Sequence, residues 1–137
     1  MNVQWLETFE LGVPEIDGDH RVIVSLMKAI EASLAAGHDK QAIPIIDRLI
    51  AFAADHFRRE EALLAAWKYP ELTVHCQYHR GLLETIDHIK QACLEKKGSE
   101  SFKHCCDEMM RYIIDDVVQG DMHIKSHLQH SNLVITE

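Results

Sequence analysis

The stretch from His56 to His79, HFRREEALLAAWKYPELTVHCQYH, constrains this chain more than any other. It carries two pairs of metal-ligating residue types at one spacing: His56 with Glu60, and His75 with His79, each four apart. At about 3.6 residues per turn, side chains i and i+4 leave a helix from one face, so each pair offers two donor groups to a common point. The intervening WKYP reads as a turn, because Pro70 disfavours a helical conformation at Tyr69. Two helices joined so closely run antiparallel and bring both pairs to similar depth.

The rest of the chain has the composition of long helices. Only 3 Pro and 6 Gly occur in 137 residues, enough length for one domain with a real core. A net charge of −8, from 22 acidic against 14 basic residues, argues against a nucleic-acid partner. No run approaches the roughly 18 apolar residues of a membrane span. The opening MNVQWLETFE has no basic segment followed by an apolar one, so no signal peptide is expected and cytoplasm is the default location. A monomer is the simplest state. The four cysteines (Cys76, Cys93, Cys105, Cys106) form no CxxC signature and are expected to be buried, reduced thiols.

Taken in order, residues 1–16 read as an irregular arm anchored by Trp5 and Phe9, with Gly12 and Pro14 as breakers. A first helix is expected from Asp17, as N-cap, to Ala36, with His20, Ile23, Met27, Ile30 and Leu34 as its inward stripe. The second starts between Asp39 and Pro44 and ends near Trp67; its seam of Leu49, Phe52, Ala53 and Leu63 is interrupted by His56 and Glu60. Burying a carboxylate there is costly unless it is paired or holds a metal. Arg58, Arg59 and Glu61 fall off the seam and read as solvated. The third helix, Glu71 to Lys97, places His75 and His79 among Leu72, Leu82, Ile86 and Cys93. A fourth, after Ser99, has Phe102, Cys105, Met109, Tyr112, Ile113, Asp116 and Val117 on its buried side. The expectation is an all-α, antiparallel up-down four-helix bundle with an irregular N-terminal arm. It is one domain over 1–137: arm 1–16, bundle 17–128, tail 129–137.

The polar interruptions of the four apolar stripes are His20, His56, Glu60, His75, His79, Asp116 and Asp121. Four imidazoles with three carboxylates suit iron, and carboxylates can bridge two metals. The Glu-x-x-His motif of ferritin-like di-iron bundles is absent, which disfavours that class. His38, His88 and His104 read as exposed, and His123 with His127 as a surface pair near the end of the chain. Cys76 points about 100° away from His75 and is not expected to ligate.

These motifs resemble the bacteriohemerythrins over nearly the whole chain: Trp5, then GVPEIDGDH ending in His20, then HF-x-x-EE, then Tyr-Pro ahead of H-x-x-x-H. The resemblance implies two iron ions with an oxo or hydroxo bridge. His20 and His56 would bind the iron open to oxygen, His75 and His79 the second, and Glu60 and Asp121 would bridge both. One departure stands out. The family carries a pattern like WL-x-x-HI-x-x-x-D on its fourth helix, where this chain has YIIDDVVQGD, so Asp116 occupies the usual His position. Asp116 then either replaces that ligand or hydrogen-bonds a metal-bound water. A second register, with Asp121 at the His position and Ser126 at the Asp position, loses the bridge, because Ser126 is a poor bridging ligand.

Three functions follow from the resemblance and the residues. One is a di-iron protein binding dioxygen for oxygen or redox sensing, transport or storage. Another is a di-iron oxidase, peroxidase or nitric-oxide-handling enzyme at the same site, for which no substrate pocket or electron donor is visible. The third, a bundle without metal, would need the buried polar groups to satisfy one another, which is costly when incomplete. An oxygen-binding protein is favoured over a dedicated enzyme. The extra anionic charge of Asp116 favours ferric over ferrous iron, and hence faster autoxidation.

Overall fold

The computed structural model describes residues 3–118 and residue 124. They form four helices: α1 (Pro14–Ala35), α2 (Asp39–Ala66), α3 (Leu72–Glu95) and α4 (Ser99–Ile113). A single 3-10 turn (Glu7–Phe9) precedes α1, and α4 widens into a π-helical turn (Ile114–Val118). The fold is an all-α four-helix bundle. Its short connections place sequence neighbours side by side, α1 on α2 and α3 on α4.

The first helix starts earlier than its sequence suggests. Pro14 is not a breaker but the first helical residue, where its missing N–H costs nothing. Asp17 does not cap the helix through its own backbone. Its carboxylate instead accepts hydrogen bonds from the backbone N–H of Leu11 (2.6 Å) and Gly12 (3.0 Å), fastening the arm onto α1. Trp5 and Phe9 anchor that arm edge to face at 5.5 Å, with the Arg21 guanidinium 4.2 Å above the Trp5 ring. The second helix begins at Asp39 and carries the exposed Pro44 inside it, near enough to the start that little of the helix is affected. It stops where Lys68 turns to positive φ (56°), and Tyr69 N–H bonds back to the Leu64 carbonyl at 2.9 Å. This reversal aims α3 back along α2.

The main core joins Ile23, Met27 and Ile30 of α1 to Ile46, Leu49 and Phe57 of α2, Ile86 of α3 and Met109, Met110 and Ile113 of α4. Each fully buried side chain of this size contributes about 1.5–3 kcal/mol. A smaller cluster of Leu11, Val13, Ile16, Leu64, Tyr69 and Ile124 closes the arm end. The stripe expected on α1 is buried throughout. On α2 the seam is wider than expected: Phe57 and Leu64 are buried, whereas Phe52 and Leu63 are only half-buried. On α4, Cys106 and Met110 are buried too, while Tyr112 and Asp116 are half-buried. Such shifts arise because a real helix buries a stripe wider than one i, i+3/i+4 row.

The cysteines require a correction. Cys93 of α3 and Cys105 of α4 are joined by a disulfide, with Cα atoms 5.4 Å apart, rather than being reduced thiols. Cys76 and Cys106 are free. Spacing could not show the pair, because it bridges two helices through their packing. None of the described helices is long and apolar enough to cross a membrane.

Candidate metal centre

His20 leaves α1, His56 and Glu60 leave α2, and His75 and His79 leave α3, all toward the bundle interior. His20, His56 and Glu60 are fully buried and His79 nearly so. The His75 side chain retains 11% exposure. Glu60 is the hub. Its Oε1 lies 2.6 Å from His75 Nε2 and 3.1 Å from His79 Nε2, and its Oε2 lies 3.3 Å from His56 Nε2. Among the described residues, donor atoms of Glu60, His75 and His79 all fall within 4.8 Å of one another, close enough to share a metal ion. The His20 ring stands 5.2 Å from the His56 ring, edge to face.

The far nitrogen of three of these rings is held from outside. His20 Nδ1–H donates to the Phe9 carbonyl (2.9 Å), and His56 Nδ1–H donates to Asp19 (3.0 Å). His79 Nδ1–H donates to Glu61 (2.8 Å). A proton fixed on Nδ1 leaves Nε2 as the lone-pair nitrogen, which selects the tautomer and aims it inward. Asp19 is itself held by Arg59, whose Nε and Nη2 reach its two oxygens at 2.9 and 3.0 Å. Burial would raise the Asp19 carboxyl, but the hydrogen bonds and charges of His56 and Arg59 outweigh it and hold the group below its ordinary value. Phe57 stacks on His79 at 4.0 Å and fixes the plane of that ring.

The donor chemistry fits a cation. With Nδ1–H of His56 committed to Asp19, its Nε2 and Glu60 Oε2 face each other as two acceptors 3.3 Å apart. Only a positive charge between them, a proton or a metal, makes that geometry favourable. His79 has a carboxylate at each nitrogen. Burial pulls its pKa down, but Glu60 and Glu61 outweigh burial and hold it above the ordinary value. The site is built to accept positive charge, and imidazole with carboxylate suits a divalent transition ion such as iron.

Asp116 stands apart from this hub. It lies in the widened turn after α4, half-buried, and accepts a hydrogen bond from Tyr78 O–H at 3.2 Å. It does not join the Glu60–His75–His79 group. Asp121, His123, Ser126 and His127 lie outside the described residues. His38, His88 and His104 are exposed.

The sequence missed the supporting partners. Glu61 and Arg59 read as solvated, yet Glu61 holds His79 and Arg59 holds Asp19. Cys76 donates to Glu61; burial, then Glu61, push its thiol up to about 11. Asp19 and Glu61 each adjoin a predicted ligand, which is the only signal that pointed to them.

Comparisons with known proteins point to one family. A family model described as the hemerythrin HHE cation binding domain matches residues 11–128. The chain is 27% identical over 93 residues to a myohemerythrin of Theromyzon tessulatum, covering 68% of this chain and 72% of that one. It is 22% identical over 121 residues to a bacteriohemerythrin of Clostridium acetobutylicum, covering 85% and 94% respectively. A bacteriohemerythrin of Ralstonia nicotianae is 26% identical over 89 residues, covering 65% and 62%.

Proposed function

The chain belongs to the hemerythrin family, and on that premise we propose that it is a non-heme di-iron protein that binds dioxygen, serving oxygen or redox sensing rather than carriage. The whole chain, 1–137, is taken as one such domain, a cytoplasmic monomer. His20 and His56 would hold one iron ion, His75, His79 and Asp116 the other, and Glu60 and Asp121 would serve both. The observation that carries the reading is the fully buried Glu60 carboxylate, ringed by three imidazole nitrogens at 2.6, 3.1 and 3.3 Å.

Ferrous iron bound there would supply the electrons that dioxygen draws on binding. The protein supplies orientation and dryness. The Phe9 carbonyl, Asp19 and Glu61 each retain an Nδ1 proton, so Nε2 of His20, His56 and His79 needs no reorganisation to meet a cation. Ile23, one turn along α1 from His20, and Leu49, two turns along α2 from His56, are fully buried and make the adjoining core apolar. Asp116 puts a negative charge where the family has a neutral imidazole, which would favour the ferric state of iron bound there and hence faster autoxidation. The test is Asp116→His. It autoxidises more slowly than the parent if this account is right, and equally fast or faster if it is wrong.

The carboxylates around the rings, Asp19 and Glu61 beyond Glu60, favour a second reading, an oxidase, peroxidase or nitric-oxide-handling enzyme. Multiple turnovers with hydrogen peroxide and a reductant would select it.

A further inference from the structure

Tyr78 sits between His75 and His79 on α3 but off their face: it is 43% exposed, with its ring centroid 6.4 Å from that of His75. Its hydroxyl reaches across to the widened turn after α4, 3.2 Å from Asp116 Oδ1 and 3.4 Å from the Asp116 backbone carbonyl. Both contacts have a physical reason. A π-helical turn shifts its carbonyls off the ordinary i+4 pattern, so an outside donor is useful there. An ionised carboxylate is also the stronger acceptor for the single phenolic proton. Asp116 is thereby tied to the helix that carries two of the imidazoles, at the position where this chain departs from its family.

From this geometry we infer that Tyr78 is a positioning residue for Asp116, fixing the direction of its carboxylate and drawing off part of its negative charge. The inference rests on the proposal that Asp116 acts on the metal pair, and it deepens that proposal. A carboxylate has two oxygens, so a hydrogen bond at Oδ1 does not exhaust it. A proton donor there weakens the charge that Asp116 presents elsewhere. Tyr78 thus tempers the ferric bias that Asp116 introduces, and does so from a side chain that solvent can reach.

The experiment is a cycle of Tyr78→Phe, Asp116→Asn and the double variant, each loaded with iron and measured by redox titration. Tyr78→Phe keeps the ring and removes only the hydroxyl. It should raise the ferric-to-ferrous preference on the order of tenfold, about 59 mV for one electron. In the Asp116→Asn background the same change should have less than about a twofold effect. If Asp116→Asn moves the potential but Tyr78→Phe does not, the inference is overturned while Asp116 keeps its role. If Asp116→Asn moves nothing, the underlying reading of Asp116 fails and takes the inference with it. A metal-free readout completes the test: the Tyr78 ring resonances, assigned by their loss in Tyr78→Phe, should shift in Asp116→Asn. Their failure to shift would also overturn it.

Discussion

Replacing Glu60 with Gln separates the two roles of the central carboxylate. In the parent, Oε1 faces His75 and His79 at 2.6 and 3.1 Å, and Oε2 faces His56 at 3.3 Å. A Gln amide has nearly the same shape. Its carbonyl can stay toward His75 Nε2, and its NH₂ can donate to His56 Nε2, the acceptor left when Nδ1–H donates to Asp19. What is lost without metal is the charge assistance of those hydrogen bonds, so the metal-free variant falls in stability by no more than about 2 kcal/mol. Metal binding is lost far more completely, because a neutral amide is a poor ligand for two cations.

Linkage sets the size of the difference. A ligand present at about 100 times its Kd stabilises the native state by about 2.7 kcal/mol. For 137 residues, an unfolding entropy of about 2.1 cal/mol/K per residue sums to about 0.29 kcal/mol/K, so saturating metal raises Tm by about 9 °C. The assay is thermal unfolding by circular dichroism of metal-stripped parent and variant, with and without ferrous iron under anaerobic conditions. The parent should rise by about 9 °C and Glu60→Gln by less than about 2 °C. Equal shifts would refute Glu60 as the common ligand. A variant already unfolded without metal would refute the hydrogen-bond argument.

Further expectations concern the surrounding residues. Asp19→Asn keeps an acceptor for His56 but removes the charge facing Arg59, and should weaken metal binding by about 10–100-fold in a chelator competition; unchanged affinity would count against Asp19 as the support of His56. Because the folded Asp19 carboxyl is held below 3.8, its contribution to stability is present above that value and is lost as pH falls through the lower folded value. The stability gap between parent and Asp19→Asn in urea titrations should therefore be full near neutral pH and close at the acid end. Reduction of Cys93–Cys105, whose partners are 12 apart in sequence, should cost about 3 kcal/mol on chain-entropy grounds. Identical urea midpoints with and without reductant would contradict that figure.

The parts of this molecule that were legible in its sequence are those governed by helical periodicity. His56 with Glu60 and His75 with His79 sit one turn apart on the same helix, so spacing alone placed each pair on one inward face. Pro70 and the short links announced antiparallel neighbours. Contacts made between helices at an angle to those stripes were not legible. Glu61 is one residue, about 100°, from Glu60, so periodicity sent it to solvent; yet α3 approaches from that side and brings His79 Nδ1 within 2.8 Å. Arg59 is exposed, as its place off the seam implies, but its partner was not legible, since α1 supplies Asp19. The Cys93–Cys105 pair depends on how the ends of α3 and α4 pack, which no local pattern encodes. The widened turn at Ile114–Val118 changes the helical pitch at Asp116 itself, so a stripe drawn at about 3.6 residues per turn does not carry over to that residue, which is half-buried rather than buried.

The most direct test of the account is iron content together with the visible spectrum of the anaerobically reduced protein, before and after oxygen is admitted. The account predicts about two irons per chain and rapid passage to a ferric spectrum that vacuum does not reverse. An absence of iron after reconstitution would contradict the metal centre. A band that appears with oxygen and disappears under vacuum would contradict the role given to Asp116.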